Sequence, residues 1–384
     1  MYGFAFYHRP AFALILFAML QPLHDATFTA SPPDCGRSVG EPAMKLLYRY
    51  GYDAVCWQNL SPEVELWFAR RHEGMIGFVV SDDFLIAAGT PLAAPENLAA
   101  VADEFRVFGM RQGRGICFLC AQRSLATVFA GHGYSSICLG AQPVWNPKYW
   151  GAVVRGHKGL REQLRRARAK HIVIEPLTAD AAAVDIRLEA CLRAWLHGRW
   201  YGMKFLADPY LVAQRVGGRL VFTARRMGEN ALLAFLVASP VPARNGYHLE
   251  LIARSPAAPN GTTELLIHSA MEDMAWRQVD YATLGLVALS QNCREAWNLN
   301  PRWFKLASGM ATRFGQRLYH FASLEAFRSR LHPDFWEPVY AISGESTFTP
   351  LAALAAAKSL FTLPGHRKVR GNSSSFLANS TRQW

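Results

Sequence analysis

The chain has 384 residues, 51% hydrophobic and 18% charged, which excludes a disordered polypeptide and gives room for two domains. A formal net charge of +12 favours partners that carry phosphate or an anionic surface, although a basic surface alone does not choose among them. Seven cysteines at irregular spacing exclude a secreted disulfide framework.

At the N-terminus, His8-Arg9 precede an apolar run from Ala11 to Leu20, and small residues follow near 26–30. This has the layout of a signal peptide but is too short for a comfortable membrane span. A non-essential leader or a weak anchor is expected here, and a start at Met44 is a further alternative. Residues 31–43 are rich in Ser, Pro and Gly, so 1–43 is taken as leader and linker.

From Met44 short apolar strands alternate with helices. Residues 74–80 and 84–89 form a predicted hairpin turning at Ser81-Asp82-Asp83. Residues 95–109 fit an amphipathic helix with Leu98, Val101, Phe105 and Phe108 on one side. A strand at 116–120, a helix at 125–131 and a strand at 136–139 complete a first unit, 44–149. Cys117-x-x-Cys120 lies inside an apolar strand with no second pair, so buried thiols are expected rather than a metal half-site. Arg111-Gln-Gly-Arg-Gly115 precedes a strand rather than a helix, which argues against a pyrophosphate turn.

The second unit, 150–345, opens on a basic helix at 160–169. Lys158, Arg161, Arg165, Arg166, Arg168 and Lys170 crowd it; Arg161, Arg165 and Arg168 share one face, and Leu160 and Leu164 mark the buried side. Such a face suits a tRNA backbone or an anionic membrane, against the blander alternative of a solvated helix face. A strand at 172–175, a helix at 181–196, a hairpin of 220–224 with 231–239, and a strand at 247–253 follow. The order in both units is helix, hairpin, strand, helix, strand. After Ser343, residues 346–384 read as an Ala-rich helix at 351–360 and then a polar, loosely attached tail.

The segment 247–286 carries the chemistry. A strand reaches Arg254, a turn-rich loop Ser255-Pro-Ala-Ala-Pro-Asn-Gly261 leads into a helix at 264–278, and a strand at 281–286 follows. Thr262 or Thr263 is placed to cap the helix, with Glu264 in its first turn. Free amides and the dipole at such a helix start can hold a phosphate or an oxyanion, though many α/β proteins contain the same connection. Glu250 is a candidate base or ammonium-holding carboxylate, and His248, two residues earlier, an alternative base on the same strand face. Arg254, Asn260, Gly261, Thr262 and Lys305 are candidate phosphate contacts. No Walker loop, HExxH or GxSxG motif occurs, and His and Cys show no metal-ligand spacing, so a metal site is not expected.

Ala258-Pro-Asn-Gly-Thr-Thr-Glu-Leu-Leu266, Tyr281-Ala-Thr-Leu-Gly-Leu286 and Ala288-Leu-Ser290 resemble the C-terminal domain of bacterial phosphatidylglycerol lysyltransferases. The hairpin ending in Gly89-Thr-Pro91, Gln142-Pro-Val-Trp145, the basic helix 159–168, Leu318-Tyr-His-Phe321, Leu324-Glu-Ala-Phe327 and His332-Pro-Asp-Phe-Trp-Glu-Pro338 agree in order. The resemblance covers roughly 44–342 and rests on the combination of motifs. It implies an α/β fold of two tandem acetyltransferase-like domains, each a mixed, mostly antiparallel sheet flanked by helices. It also implies an enzyme that moves an aminoacyl group from aminoacyl-tRNA to a lipid head group, working in the cytoplasm or on the inner face of the membrane. Where the family has Asp-x-x-Arg, this chain has Glu250 and Ala253, with Arg254 one place later. Acyl-coenzyme A is the alternative donor, and a non-catalytic relative that binds tRNA or anionic membrane is the alternative of another class.

Overall fold

The computed structural model describes residues 40–362 apart from 62, 130–131, 179–180, 183–184, 198–201, 204–217 and 316–320. The leader, the tail beyond 362 and most of the Leu318–Phe321 motif lie outside the described residues. Helix α1 (Glu41–Tyr50) buries Ala43, Leu46 and Leu47, and a 3-10 turn follows at Cys56–Leu60. Strands β1 (Glu65–Phe68), β2 (Gly74–Ser81), β3 (Phe84–Ala88) and β4 (Leu92–Ala93) come next. The expected helix from Pro95 opens as a 3-10 turn, Pro95–Asn97, and becomes α2 at Leu98–Arg111. Then come β5 (Gly115–Gln122), α3 (Arg123–Val128) and β6 (Ser135–Trp145).

Helices α4 (Trp150–Gly156) and α5 (Lys158–Arg168) precede β7 (Ile172–Leu177). Residues 181–182 are helical, as expected, and helix α6 spans Ile186–His197, with the Asp185 carboxylate accepting from the Arg187 amide at its start. After β8 (Gly202–Met203), strands β9 (Leu220–Arg226), β10 (Leu232–Val241) and β11 (Gly246–Arg254) form a meander. Helix α7 is Thr262–Trp276. Strand β12 stops at Thr283 rather than 286: Gly285 turns out at φ 73° and donates to the Thr283 hydroxyl. The remainder is β13 (Val287–Ala288), α8 (Arg294–Asn298), α9 (Arg302–Gly315), α10 (Phe321–Ser329), β14 (Phe335–Ser343), α11 (Pro350–Leu360) and β15 (Phe361–Thr362).

Thirteen of these strands share one sheet, whose main path runs β1-β2-β3-β5-β14-β6-β12-β11-β10-β9-β7. In each half a strand, a helix and a parallel strand follow one another, β3-α2-β5 and β11-α7-β12. Strand β14 comes from near the end of the described chain yet inserts between β5 and β6. In the first half Phe105, Phe118 and Phe129 pack on one face, while Ile86, Leu119 and the Ala-rich α11 pack on the other. In the second half α4, α5 and α7 cover one face and α6 the other. Each fully buried large apolar side chain contributes about 1.5–3 kcal/mol, so these four layers are the main source of stability.

Helix α5 buries Leu160, Leu164 and Ala167, the side the sequence marked, and leaves Arg161, Arg165 and Arg168 exposed. It meets the start of α7 at Gly261, where an added Cβ would lie 2.7 Å from the Ala167 Cβ and where φ is 95°. Gly261 is therefore required twice over, for conformation and for space. It also occupies the N-cap position, so the expected Thr262 or Thr263 side-chain cap does not form; the Thr262 hydroxyl instead donates to the Pro259 carbonyl at 2.7 Å. Gly261→Ala should cost about 1–3 kcal/mol, whereas Gly156→Ala, with open space around it, should change stability by less than about 1 kcal/mol. Urea unfolding of both variants checks this; equal, small effects would show that the approach of α5 to α7 is loose.

Candidate functional site

Strands β11 and β12 run parallel but pair only over Gly246–His248 against Tyr281–Thr283. Beyond that β11 continues to Arg254 paired with β10 but not with β12, so the sheet splits at this point. Strand β11 also carries a bulge: Val237 faces Leu251 and Ala238 faces Leu249, leaving Glu250 as the extra residue. Glu250 thus sits within the strand, four residues before its end at Arg254.

Its carboxyl group is almost completely enclosed, with 3% side-chain exposure. The Ser239 hydroxyl donates to Oε2, and the Arg219 guanidinium stands 3.7 Å from the same oxygen. Arg219 Nε in turn donates to Ser239 at 2.9 Å, and its guanidinium lies over the Trp57 ring. Oε1 has no hydrogen-bond partner. Burial raises the Glu250 pKa, and Arg219 and Ser239 only oppose it. Burial likewise lowers that of Arg219. For both partners desolvation outweighs the mutual attraction.

His248 is buried beside this pair. Its Nδ1 donates to the Ala54 carbonyl at 3.0 Å, which in the neutral ring leaves Nε2 as the acceptor. Burial and the nearby Arg328 push its pKa down to about 4. Nε2 faces Gly285, where a Cβ would come within 2.5 Å, so only glycine fits against the ring. Arg328 holds the same glycine through its carbonyl at 2.6 Å.

The loop after β11 forms a second group. Arg254 donates to the Ala258 carbonyl at 2.6 Å and to Asn260 Oδ1 at 3.4 Å, bracing the loop from within, while its Nε is buried without a partner. Lys170 donates to the Asn260 carbonyl at 2.8 Å, and Arg168 Nη2 lies 2.7 Å from His268 on α7. The end of the basic helix is thus brought to Asn260, Gly261 and Thr262. Arg161 turns away to the carbonyls of Val154 and Arg155. Lys305 is not brought to this loop: it donates to Asn298 on α8, and its neighbours Trp303 and Phe304 pack on the first half.

Other polar groups fill the seam between the halves. Arg244 stacks 3.7 Å from the Tyr281 ring centroid and donates to both oxygens of Glu337 at 3.1 and 2.9 Å. Gln142 bridges the Tyr281 hydroxyl, at 3.0 Å, and Glu337, at 2.9 Å. Arg244 and Tyr281 border a cleft of about 390 Å3 that Tyr52, Asp280, Asp334 and Phe335 also line. Sequence reasoning assigned these residues no role, although Gln142 and Glu337 lie inside quoted motifs; those motifs were the available signal. Asp53 was also missed. Its Oδ2 accepts from the Thr90 amide, Oδ1 has no partner, and burial pushes its pKa up to about 6. Cys117 is the buried strand thiol expected and Cys120 is half-buried; desolvation pushes each up to about 12.

A split mixed sheet, a bulged strand at the split and a strand–loop–helix unit beside it define an acetyltransferase-like fold. The chain belongs to the family described as phosphatidylglycerol lysyltransferase, C-terminal, whose model matches residues 45–343. Among curated relatives it is 24% identical over 344 residues to the lysylphosphatidylglycerol biosynthesis bifunctional protein LysX of Mycobacterium sp. (strain JLS), covering 84% of this chain and 30% of that protein. LysX of Mycobacterium leprae (strain TN) is also 24% identical, covering 85% and 29%. The chain therefore spans less than a third of the length of these relatives. Of solved structures, L-PGS from Bacillus licheniformis is similar with a TM-score of 0.67 at 15% identity, covering 87% of this chain and 99% of that one. The C-terminal domain of a putative lysylphosphatidylglycerol synthetase from Agrobacterium fabrum scores 0.65 at 19% identity, covering 83% and 97%.

Among the described residues no group of His, Cys, Asp and Glu could hold a metal ion, and no helix is long and apolar enough to cross a membrane.

Asp53 has a measurable consequence. Its folded pKa of about 6 lies above the ordinary 3.8 of an aspartate, so the folded state binds the extra proton between those values. The stabilising contribution is full below pH 4 and is lost as pH rises to 6, by about 3 kcal/mol at two pKa units. Urea unfolding from pH 4 to 7 should show this fall in the difference between wild type and Asp53→Asn. A flat difference would place Asp53 in contact with water.

Proposed function

We propose that this chain is an aminoacyltransferase that moves an aminoacyl group from aminoacyl-tRNA to a hydroxyl of a lipid head group. The observation that carries the reading is Glu250, a buried carboxyl with one free oxygen, in the bulge where the sheet splits. In the reaction the acceptor oxygen bonds to the ester carbonyl carbon and the bond to the tRNA ribose oxygen breaks. The acceptor's proton must reach that ribose oxygen. Glu250 serves as the relay or holds the donor's ammonium group; neutral His248 Nε2 is the second acceptor of a proton nearby. The family membership and the names of the curated relatives support this donor and acceptor.

Arg161, Arg165 and Arg168 on α5 would meet tRNA phosphates or an anionic membrane surface, which suits a protein working at the cytoplasmic face. Asn260, Gly261 and Thr262 would receive a phosphate at the start of α7, with Arg254 as brace. The same loop geometry supports acyl-coenzyme A as the alternative donor. Residues 44–149 and 150–345 would form the two acetyltransferase-like units, the second lending β14 to the first.

Transfer of labelled amino acid from charged tRNA to a lipid extract should be abolished by ribonuclease. Glu250→Gln should lower kcat by about 100-fold or more. The rising limb of the wild-type pH profile should lie above the ordinary carboxylate range, because burial raises the Glu250 pKa, and should vanish in the variant. Ribonuclease-insensitive transfer would point to the acyl-coenzyme A donor. A wild-type rate in Glu250→Gln would remove Glu250 from the chemistry and favour a non-catalytic binding role.

A further inference from the structure

Two cysteines far apart in sequence meet between β6 and α8. Cys138 lies on β6 and Cys293 precedes α8, and their sulfurs are 3.4 Å apart. Both sulfurs also lie 3.4 Å from the Gly140 carbonyl, so each thiol is held on its partner from one side by the same backbone group. Cys138 cannot drift: Asn300 Oδ1 accepts from its amide at 2.7 Å, and Asn300 Nδ2 donates to its carbonyl at 2.9 Å. Cys138 is buried and Cys293 half-buried, so a small oxidant reaches Cys293 first. The two thiols share a hydrogen bond that favours a thiolate on Cys293 and disfavours one on Cys138. Glu325 and Tyr340 are the other titratable groups facing the pair, and Glu325 opposes the Cys293 thiolate.

We propose that Cys138 and Cys293 form a peroxide-responsive dithiol that closes to a reversible disulfide. The Cys293 thiolate attacks one oxygen of hydrogen peroxide, the O–O bond breaks, and with one proton taken up a sulfenic acid and one water result. The Cys138 sulfur then bonds to the Cys293 sulfur, the sulfenic oxygen leaves as a second water, and it carries the Cys138 proton. Overall two thiols and one peroxide give one disulfide and two waters. Bonding requires the sulfurs to close from 3.4 Å to the bonded separation of about 2.05 Å.

The link would tie residues 284–293 to β6. That segment starts where Gly285 supports His248, pairs with β6 through β13, and is held by Ser290 and Asn292 to Glu325 on α10. Oxidation would therefore fasten one wall of the split in the sheet. The proposal does not depend on the donor or acceptor of the enzyme.

Purified full-length protein is treated with hydrogen peroxide, alkylated, and analysed by intact mass and non-reducing peptide mapping. The expected result is a 2 Da loss and a linked pair of peptides containing Cys138 and Cys293, reversed by dithiothreitol. Cys293→Ser should abolish the linkage while keeping the wild-type melting temperature. Oxidation of Cys293 to sulfinic acid with Cys138 still alkylated, or a linkage of either to another cysteine, would overturn the proposal. So would full alkylation of both after peroxide.

Discussion

The arrangement depends on where β14 goes. It pairs with β6 from Phe335 to Ser343 and with β5 from Val339 to Ser343, although nearly two hundred residues separate it from β6 along the chain (Pro338 and Ala141, for example, are register partners). Strand β6 is hydrogen-bonded on its other side to β12 and β13. One strand and its inserted neighbour therefore fuse two half-sheets. The seam polar groups follow from that pairing: Gln142 comes from β6 and Glu337 from β14, where they are direct register partners. Arg244 and Tyr281 come from the second half and close the set.

The seam is also where folding energetics are least favourable. Glu250, Arg219, His248 and Asp53 are taken out of water, Glu250 Oε1 and Asp53 Oδ1 without a hydrogen bond, and each pKa moves in the direction that disfavours the charged form. A buried polar atom without a hydrogen bond costs about 1–3 kcal/mol. Such costs are tolerated where the strained group does chemistry, and perturbed titration in a buried seam is a physical reason to look there first. The apolar layers on both faces offset them.

Much of this was legible in the sequence. Leu160 and Leu164 marked the buried side of α5, and Arg161, Arg165 and Arg168 its exposed face, because helical period alone decides that. The strand–loop–helix unit at Arg254 to Gly261 was legible from its turn residues. Glu250 was found as a residue but not its enclosure, since a bulge leaves no trace in a two-residue alternation. Its partner Arg219 stands at the start of another strand and gives no local signal. Lys305 was grouped with the loop on charge alone, and the packing of Trp303 and Phe304 carries it elsewhere. The non-local insertion of β14 could not be read from periodicity, which reports a strand's faces and not its neighbours.

If β14 fuses the halves, they should open together. The direct measurement is hydrogen exchange under increasing urea, followed in peptides from β3 and β5 and in peptides from β10 and β11. Loss of protection in both sets at the same urea concentration is the predicted result. If β10 and β11 lose protection at clearly lower urea while β3 and β5 remain protected, the halves are separate bodies and the seam is only a contact between them.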